Sequence, residues 1–133
     1  MEAGRVKKWS LILLIVFFAF AGTNHFIDPE FYYPLIPPYL VFVEAINILS
    51  GALEILLGIG LIFKPTRKYS AYLIIVMLIA FIPSHIHFIQ LGGCISKGLC
   101  VPLWVAWMRL LLIHPLMLFW VWSHRLSHIS IFR

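Results

Sequence analysis

Three ionisable side chains, Glu44, Glu54 and Arg109, lie within stretches of sequence that are otherwise apolar. A charge at the middle of a membrane-spanning helix costs roughly 2.5 kcal/mol or more, so such residues usually face a partner or a polar cavity. A carboxylate and a guanidinium can form an ion pair or hold a polar ligand by several hydrogen bonds at once. What these groups face therefore decides what the protein does.

The second apolar stretch carries polar and small residues on one side. If it is helical, Glu44, Asn47, Gly51, Glu54 and Gly58 fall within an arc of about 80° at 100° per residue. Small residues allow a second backbone to approach, and polar residues seek partners on it, as in a helix-packing seam. The same side could instead line a ligand cavity. Both interpretations stay open, because a seam that splays apart becomes a pocket.

Several polar side chains reach a comparable depth, about 3–12 Å from the predicted outer end of their segment at 1.5 Å per residue. They are Asn24, His25, Glu44, Asn47, His85 and Arg109. We predict that they form one polar network in which Arg109 pairs with Glu44. Glu54 is predicted to lie deeper, at about 22 Å, with His114 or backbone donors as its available partners. A structural hydrogen bond is the favoured role for Glu54, and proton transfer is the alternative.

The six histidines do not form a metal-binding pattern. His85 and His87 point about 200° apart on a helix. His124 and His128 have the i,i+4 spacing of a metal pair, but no carboxylate lies near them in the sequence. We predict no metal site and no haem. The sequence also lacks a nucleophile elbow, a phosphate loop and a dinucleotide fingerprint, so we expect no catalytic activity from the chain on its own.

The composition excludes a small soluble domain, since 62% of the 133 residues are hydrophobic and the mean hydropathy is +1.00. Four apolar stretches, near 9–27, 39–63, 69–91 and 102–122, approach the roughly 20 residues that a spanning helix needs. The connections are short, which predicts one all-α domain over 1–133, an integral membrane four-helix bundle. The first stretch follows a basic N-terminus, as in a signal peptide, but no small-x-small cleavage site follows it. A retained helix is the favoured interpretation.

The charge distribution predicts the topology. The net charge is +5, and with four spans nearly all of the basic residues fall on one side. These residues are Arg5, Lys7, Lys8, Lys64, Arg67, Lys68, Arg125 and Arg133. The opposite side has only Lys97, beside the acidic Asp28 and Glu30. The positive-inside bias then places both termini in the cytoplasm. We predict a multi-pass protein of the cytoplasmic (inner) membrane, with membrane lipids rather than nucleic acid as partners.

The two outer loops differ in character. Pro34, Pro37 and Pro38 exclude a continuous helix in the first, which we expect to lie along the membrane surface as a partial cap. The second contains Cys94 and Cys100 on what we predict to be the oxidising side, where pairing is favoured. A structural disulfide is the favoured interpretation. A free pair and an exchanging redox pair are the alternatives, although C-x5-C lacks the geometry of thiol oxidoreductases.

A series of short motifs runs along nearly the whole chain: 21–26 (AGTNHF), Pro29, 31–32, 36–37, 50–55 (SGALEI), Gly58, Pro65, Arg67, 82–83, Trp104, Arg109 and Trp120. In this order they resemble the DoxX-like family of small membrane proteins. The resemblance implies a four-helix membrane bundle with His25, Glu54 and Arg109 as functional residues. The chain departs from the family pattern at His85, where Asn is common, and at Leu111 and Ile113, where Pro and Gln often stand.

Some DoxX-like proteins are linked to quinone-dependent sulfur oxidation or to thiol-redox assemblies. The resemblance therefore implies an accessory or subunit of a redox system, with other subunits of a membrane redox complex as partners. It would bind a small lipophilic ligand in the polar layer. For a quinone, we expect His25, Arg109 and Glu44 to hydrogen-bond the carbonyl oxygens. The alternative is a non-enzymatic structural or assembly subunit, or a small-molecule carrier.

Overall fold

The computed structural model of the protein describes residues 2–96 and 98–132. Within them the fold is all-helical and contains no strand. Seven α-helices follow in order: α1 (Glu2–Ile27), α2 (Pro29–Tyr32), α3 (Val43–Gly60), α4 (Lys64–Ala80), α5 (Ile82–Gln90), α6 (Leu103–Met108) and α7 (His114–His124). A 3₁₀ turn, Tyr33–Leu35, follows α2, and one π-helical turn, Arg109–Ile113, joins α6 to α7. The predicted helical class is confirmed.

Four helical stretches are long and apolar enough to cross a membrane: Glu2–Ile27, Val43–Gly60, Lys64–Gln90 and Leu103–His124. Each overlaps one of the four stretches predicted from the sequence. The second begins at Val43 rather than near residue 39. The Leu40 N–H donates to the Pro37 carbonyl oxygen at 3.0 Å, so residues 37–40 form a separate turn before the helix. α4 and α5 are separated at Phe81, just before Pro83.

The glycines of α3 form a packing seam with α1. A Cβ atom built on Gly51 would lie 2.6 Å from Cβ of His25, and one built on Gly22 would lie 2.6 Å from the Gly51 carbonyl oxygen. A Cβ atom on Gly58 would lie 3.2 Å from Cβ of Phe18. Only glycine therefore permits the two backbones to approach this closely at Gly22 and Gly51.

Two apolar clusters lie toward opposite ends of the bundle. We call the end with the start of α1 and the α3–α4 turn the inner end, and the end with α2 and the Cys94–Cys100 disulfide the outer end. The larger, inner cluster comprises Leu11, Leu14, Phe18, Leu61, Ala71, Ile74, Met77, Leu78 and Val121. The smaller, outer cluster comprises Leu35, Phe88, Ile95 and Ala106. Phe18 and Leu78 of the inner cluster and Leu35 of the outer cluster all border one cavity. The polar layer therefore lies between two apolar clusters.

The inner end of the bundle is fixed by Arg67, which is only 1% exposed. Its guanidinium donates to the carbonyl oxygens of Leu61 and Ile62, at 2.7 and 2.9 Å, and to those of Ser127 and Ile129, at 2.6 and 2.9 Å. Arg67 lies at the α3–α4 turn with Lys64 and Lys68, as its sequence position predicts, but unlike them it is buried. The side chain is buried because it holds the α3–α4 turn against the C-terminal segment.

The outer end is closed by two segments. The first, called the cap, runs from α2 through the 3₁₀ turn to the start of α3. The second is a hairpin in which a disulfide joins Cys94 to Cys100, and in which Gly92 and Gly93 adopt positive φ angles of 74° and 80°. Ile95 of this hairpin is buried in the outer cluster. Lys97, predicted to lie on this side, falls outside the described residues.

The exterior of the bundle is apolar along every long helix. Large apolar side chains are exposed on each, among them Phe20, Leu56, Tyr69 and Phe119. Water-soluble monomers rarely expose apolar area so continuously.

Candidate functional site

A cavity of about 410 Å³ lies between the four long helical stretches and the outer cap. Its polar lining residues are His25, Tyr32, Asn47, Ser50, Glu54, Ser84, His85, Arg109 and His114. The remaining wall is aliphatic, aromatic or proline. Of the six residues predicted for a polar network, His25, Asn47, His85 and Arg109 line one cavity, and Glu54, predicted to lie deeper, lines it as well.

His25 is held by two hydrogen bonds to Asn47. The Asn47 amide nitrogen donates to the His25 carbonyl oxygen at 2.9 Å, which turns the amide oxygen toward the imidazole. That oxygen lies 2.7 Å from Nδ1 of His25, so Nδ1 carries the proton and donates. The other ring nitrogen, Nε2, lies 3.8 Å from Oε2 of Glu54. Asn47 thus sets both the orientation and the tautomer of the histidine.

Glu54 is 6% exposed, and its Oε2 atom has no hydrogen-bond partner among the described residues. The predicted depth, well below His25, was wrong. α3 begins at Val43, later than expected, and packs on α1 with His25 level with Gly51. Glu54 is one turn further along the same face and meets the His25 ring.

The predicted pairing of Glu44 with Arg109 is also wrong. Glu44 is exposed in the first turn of α3 and does not line the cavity. Its carboxylate suits the positive end of the helix dipole there. Glu44 lies almost one turn before Asn47, the first buried residue of α3. Arg109 instead places its guanidinium over the Phe88 ring, 5.6 Å from the ring centre, and no ion pair joins it to Glu44 among the described residues.

The π-helical turn explains why His114, predicted only as an available partner of Glu54, reaches the cavity. The His114 N–H donates to the Arg109 carbonyl oxygen, five residues back, so the wider turn brings both side chains to one side. In an α-helix the ring of Pro115 would clash with the Leu111 carbonyl, which the wider turn avoids. The sequence signal was therefore Pro115. The His114 ring lies 4.8 Å from the His85 ring, edge to face.

Tyr32 links the cap to the cavity. Its ring stacks on His25 with the ring centres 3.6 Å apart, and its hydroxyl accepts a 3.0 Å hydrogen bond from the amide of Asn24. Asn24 thus acts on the cavity through Tyr32 rather than as a wall residue. Burial raises the pKa of Tyr32, against a smaller lowering by the Asn24 bond. The hydroxyl therefore keeps its proton at neutral pH and can donate it.

The cavity walls differ chemically. α1 and α3 contribute His25 and the Glu54 carboxyl group, whereas α5 and the π-helical turn contribute His85 and the Arg109 guanidinium. This arrangement suits a small, mostly apolar molecule with hydrogen-bonding oxygens at opposite edges. Among residues 2–96 and 98–132, no group of three or more His, Cys, Asp or Glu side chains could hold a metal ion. The Cys94–Cys100 disulfide is not among the wall residues.

A family model described as a domain of unknown function, DUF8561, matches residues 14–125. The chain belongs to this family. The matched region contains every polar wall residue of the cavity. No curated protein and no solved structure matches the chain.

Proposed function

We propose that this protein is a multi-pass protein of the cytoplasmic membrane that binds a small lipophilic ligand in the cavity between its helices. Four helices of sufficient length and hydropathy, together with the exposed apolar side chains around them, support insertion in a bilayer. Arg5, Lys68 and Arg125 lie toward one end of the bundle, which supports cytoplasmic termini.

The observation that carries the proposal is a pair of unpartnered polar atoms. Oε2 of Glu54 and Nε2 of His114 are buried, have no hydrogen-bond partner among the described residues, and belong to residues lining the same cavity. An unsatisfied buried polar group costs about 1–3 kcal/mol. A ligand that pairs with either atom recovers part of this cost. The volume of about 410 Å³ also lies within the usual range of small-molecule sites.

A quinone fits this lining. Its carbonyl oxygens can accept hydrogen bonds from Arg109 and the Tyr32 hydroxyl, and the hydroxyl groups of the reduced form can donate to Glu54. Glu54 thus replaces Glu44 as the carboxyl group of the site, although it would bond the reduced form rather than the quinone carbonyl oxygens. A bound quinone would supply reversible transfer of two electrons and two protons. The DoxX-like resemblance implies the same kind of ligand, so the proposed role is that of an accessory or subunit of a membrane redox system.

The alternative of a purely structural subunit predicts a filled interior. The cavity favours ligand binding over that alternative, since an empty space of this size would cost stability without a compensating role. Mild-detergent purification followed by identification of retained small molecules and polypeptides tests the ligand and the proposed redox partners together.

Glu54 and Glu44 are both carboxylates of α3, but only Glu54 lines the cavity, so we expect them to differ in their effect on quinone binding. Adding a decyl-tailed benzoquinone to the purified protein should raise the unfolding temperature, since a ligand at 100 times its Kd stabilises the folded state by about 2.7 kcal/mol. Glu54→Leu removes the acceptor for the hydroxyl groups of the reduced form and should weaken binding of the hydroquinone form of this probe at least tenfold, equivalent to about 1.4 kcal/mol. Glu44→Leu makes the same change on the exposed first turn and should bind as the wild type does.

The two variants also separate ligand loss from misfolding. Glu54→Leu replaces a buried unpaired carboxyl by an apolar side chain, so it should unfold at the wild-type temperature or above without ligand. Wild-type protein that retains no quinone and gains no stability from added quinone would refute the proposed ligand.

A further inference from the structure

Part of the cavity wall is also exposed on the exterior of the bundle, on the side of α1 and α7. Phe17 of α1 and Ile113, the last residue of the π-helical turn before α7, line the cavity and are 43% and 49% exposed. Ser10 of α1 accepts a 2.9 Å hydrogen bond from the Trp120 indole, which joins the two helices nearer the inner end. Phe17 and Ile113 therefore border both the cavity and the exterior of the bundle.

A second concavity, a groove of about 400 Å³, lies along the outside of α7. It is lined by Ile113, Leu116, Met117, Phe119, Trp120 and Ser123. Ile113 and Met117 belong to both the groove and the cavity, so the two spaces share a wall. Among the described residues that line the groove, only Ser123 lacks a large apolar surface, and its hydroxyl donates a 2.7 Å hydrogen bond to the Trp120 carbonyl oxygen.

We infer that the ligand is a single-tailed amphiphile, with its polar ring in the cavity and its hydrocarbon tail in the groove on α7. This inference rests on the proposed ligand-binding function and specifies the ligand class. A compact, water-soluble ligand would leave the apolar groove beside the cavity unoccupied. A hydrocarbon chain leaving the cavity past Ile113 and Met117 enters a surface that matches it in polarity.

The groove also has the orientation that a membrane ligand requires. It lies on an outer face where Leu116 and Phe119, 56% and 69% exposed, are its rims. A tail held there remains in contact with the hydrocarbon interior of the bilayer, so the ligand can enter from the membrane without passing through water. The ring alone then has to be transferred from the lipid to the polar layer.

The test compares two probes that differ only in the tail: a dimethoxy-methyl-benzoquinone with a decyl tail and the same ring without one. Binding to the full-length protein in one detergent is measured for the wild type and for Leu116→Ala combined with Phe119→Ala. The matched control combines Leu56→Ala with Phe20→Ala, which are exposed to a similar degree on α3 and α1 and line neither space. Tail partition into the micelle is the same for all three proteins and cancels.

The tailed probe should bind the wild type and the control roughly tenfold more tightly than the tail-less ring, because burial of two or three methylene groups is enough for this ratio. The groove variant should lose most of that advantage. An equal advantage in all three proteins would overturn the inference and would mean that the tail lies in the detergent or that a lipid chain occupies the groove. Failure of both probes to bind the wild type would instead refute the proposed function, and the inference with it.

Discussion

Arg67 shows how one side chain can hold two distant segments. Its donors reach four backbone carbonyl oxygens, two in the α3–α4 turn and two in the segment after α7. Backbone oxygens at helix ends lack intrahelical partners. A planar guanidinium can satisfy several of them at once, whereas the ammonium group of lysine is a single point with three donors.

We therefore expect Arg67→Lys to lower the free energy of unfolding by about 2–4 kcal/mol. The lysine ammonium has fewer donors, all on one atom, so some of the buried carbonyl oxygens would lose their hydrogen-bond partner. The charge and the approximate length are preserved, so the loss reports on the hydrogen bonds. Arg5→Lys, at an exposed position of α1, is the matched control and should change stability by less than about 0.5 kcal/mol. Chemical denaturation in one detergent measures both. Equal effects would show that Arg67 acts through charge alone.

Residue type was enough to select most of the site but not its pairings. His25, Asn47, His85 and Arg109 were predicted because polar groups are costly in apolar segments. Glu44 met the same criterion and was misplaced, because a residue in the first turn of a helix has polar surroundings available. Tyr32 was missed as a wall residue, since its place depends on how the cap folds back over His25. Pairing depends on helix ends and offsets, which single residue types do not specify.

The π-helical turn is the element that completes the site. In a continuous α-helix, Arg109 and His114 would point about 140° apart at 100° per residue. The wider turn removes that separation and places both on the cavity wall. The sequence predicted the long helices because apolar run length is a direct signal. It did not predict this turn, because a change in helical winding leaves the hydrophobic pattern almost unaltered.

Pro115→Ala should restore the backbone N–H donor to the Leu111 carbonyl and favour a regular α-helix. We expect the variant to unfold at the wild-type temperature or above, since proline is unfavourable inside a helix. We also expect about tenfold weaker binding of the tailed benzoquinone, as His114 turns away from Arg109. Pro102→Ala, at the start of α6 where proline costs little, is the control and should bind normally. Unchanged binding by Pro115→Ala would show that the turn is not needed for the site.

At the scale of the whole molecule, charge and disulfide divide the bundle into two ends. The inner end holds the start of α1, the α3–α4 turn and the end of α7, joined by Arg67 and by the contacts of Ser10 with Trp120 and His124. The outer end holds the cap and the Cys94–Cys100 hairpin. A disulfide persists in an oxidising compartment, and basic residues favour the cytoplasmic side. Both signals therefore give the same orientation.

This orientation predicts which added thiols a membrane-impermeant maleimide can reach. Tyr39→Cys, on the exposed outer cap, should be labelled in intact cells. Gly4→Cys and Lys68→Cys, both exposed at the inner end, should be labelled only after the membrane is disrupted. Cys94 and Cys100 should add no signal until an impermeant reductant is supplied, since a disulfide does not react with maleimide. Labelling of Gly4→Cys in intact cells, with Tyr39→Cys protected, would reverse the orientation and place the basic end outside. Because the cavity lies beneath the cap, the same result would also place the ligand site in the opposite leaflet.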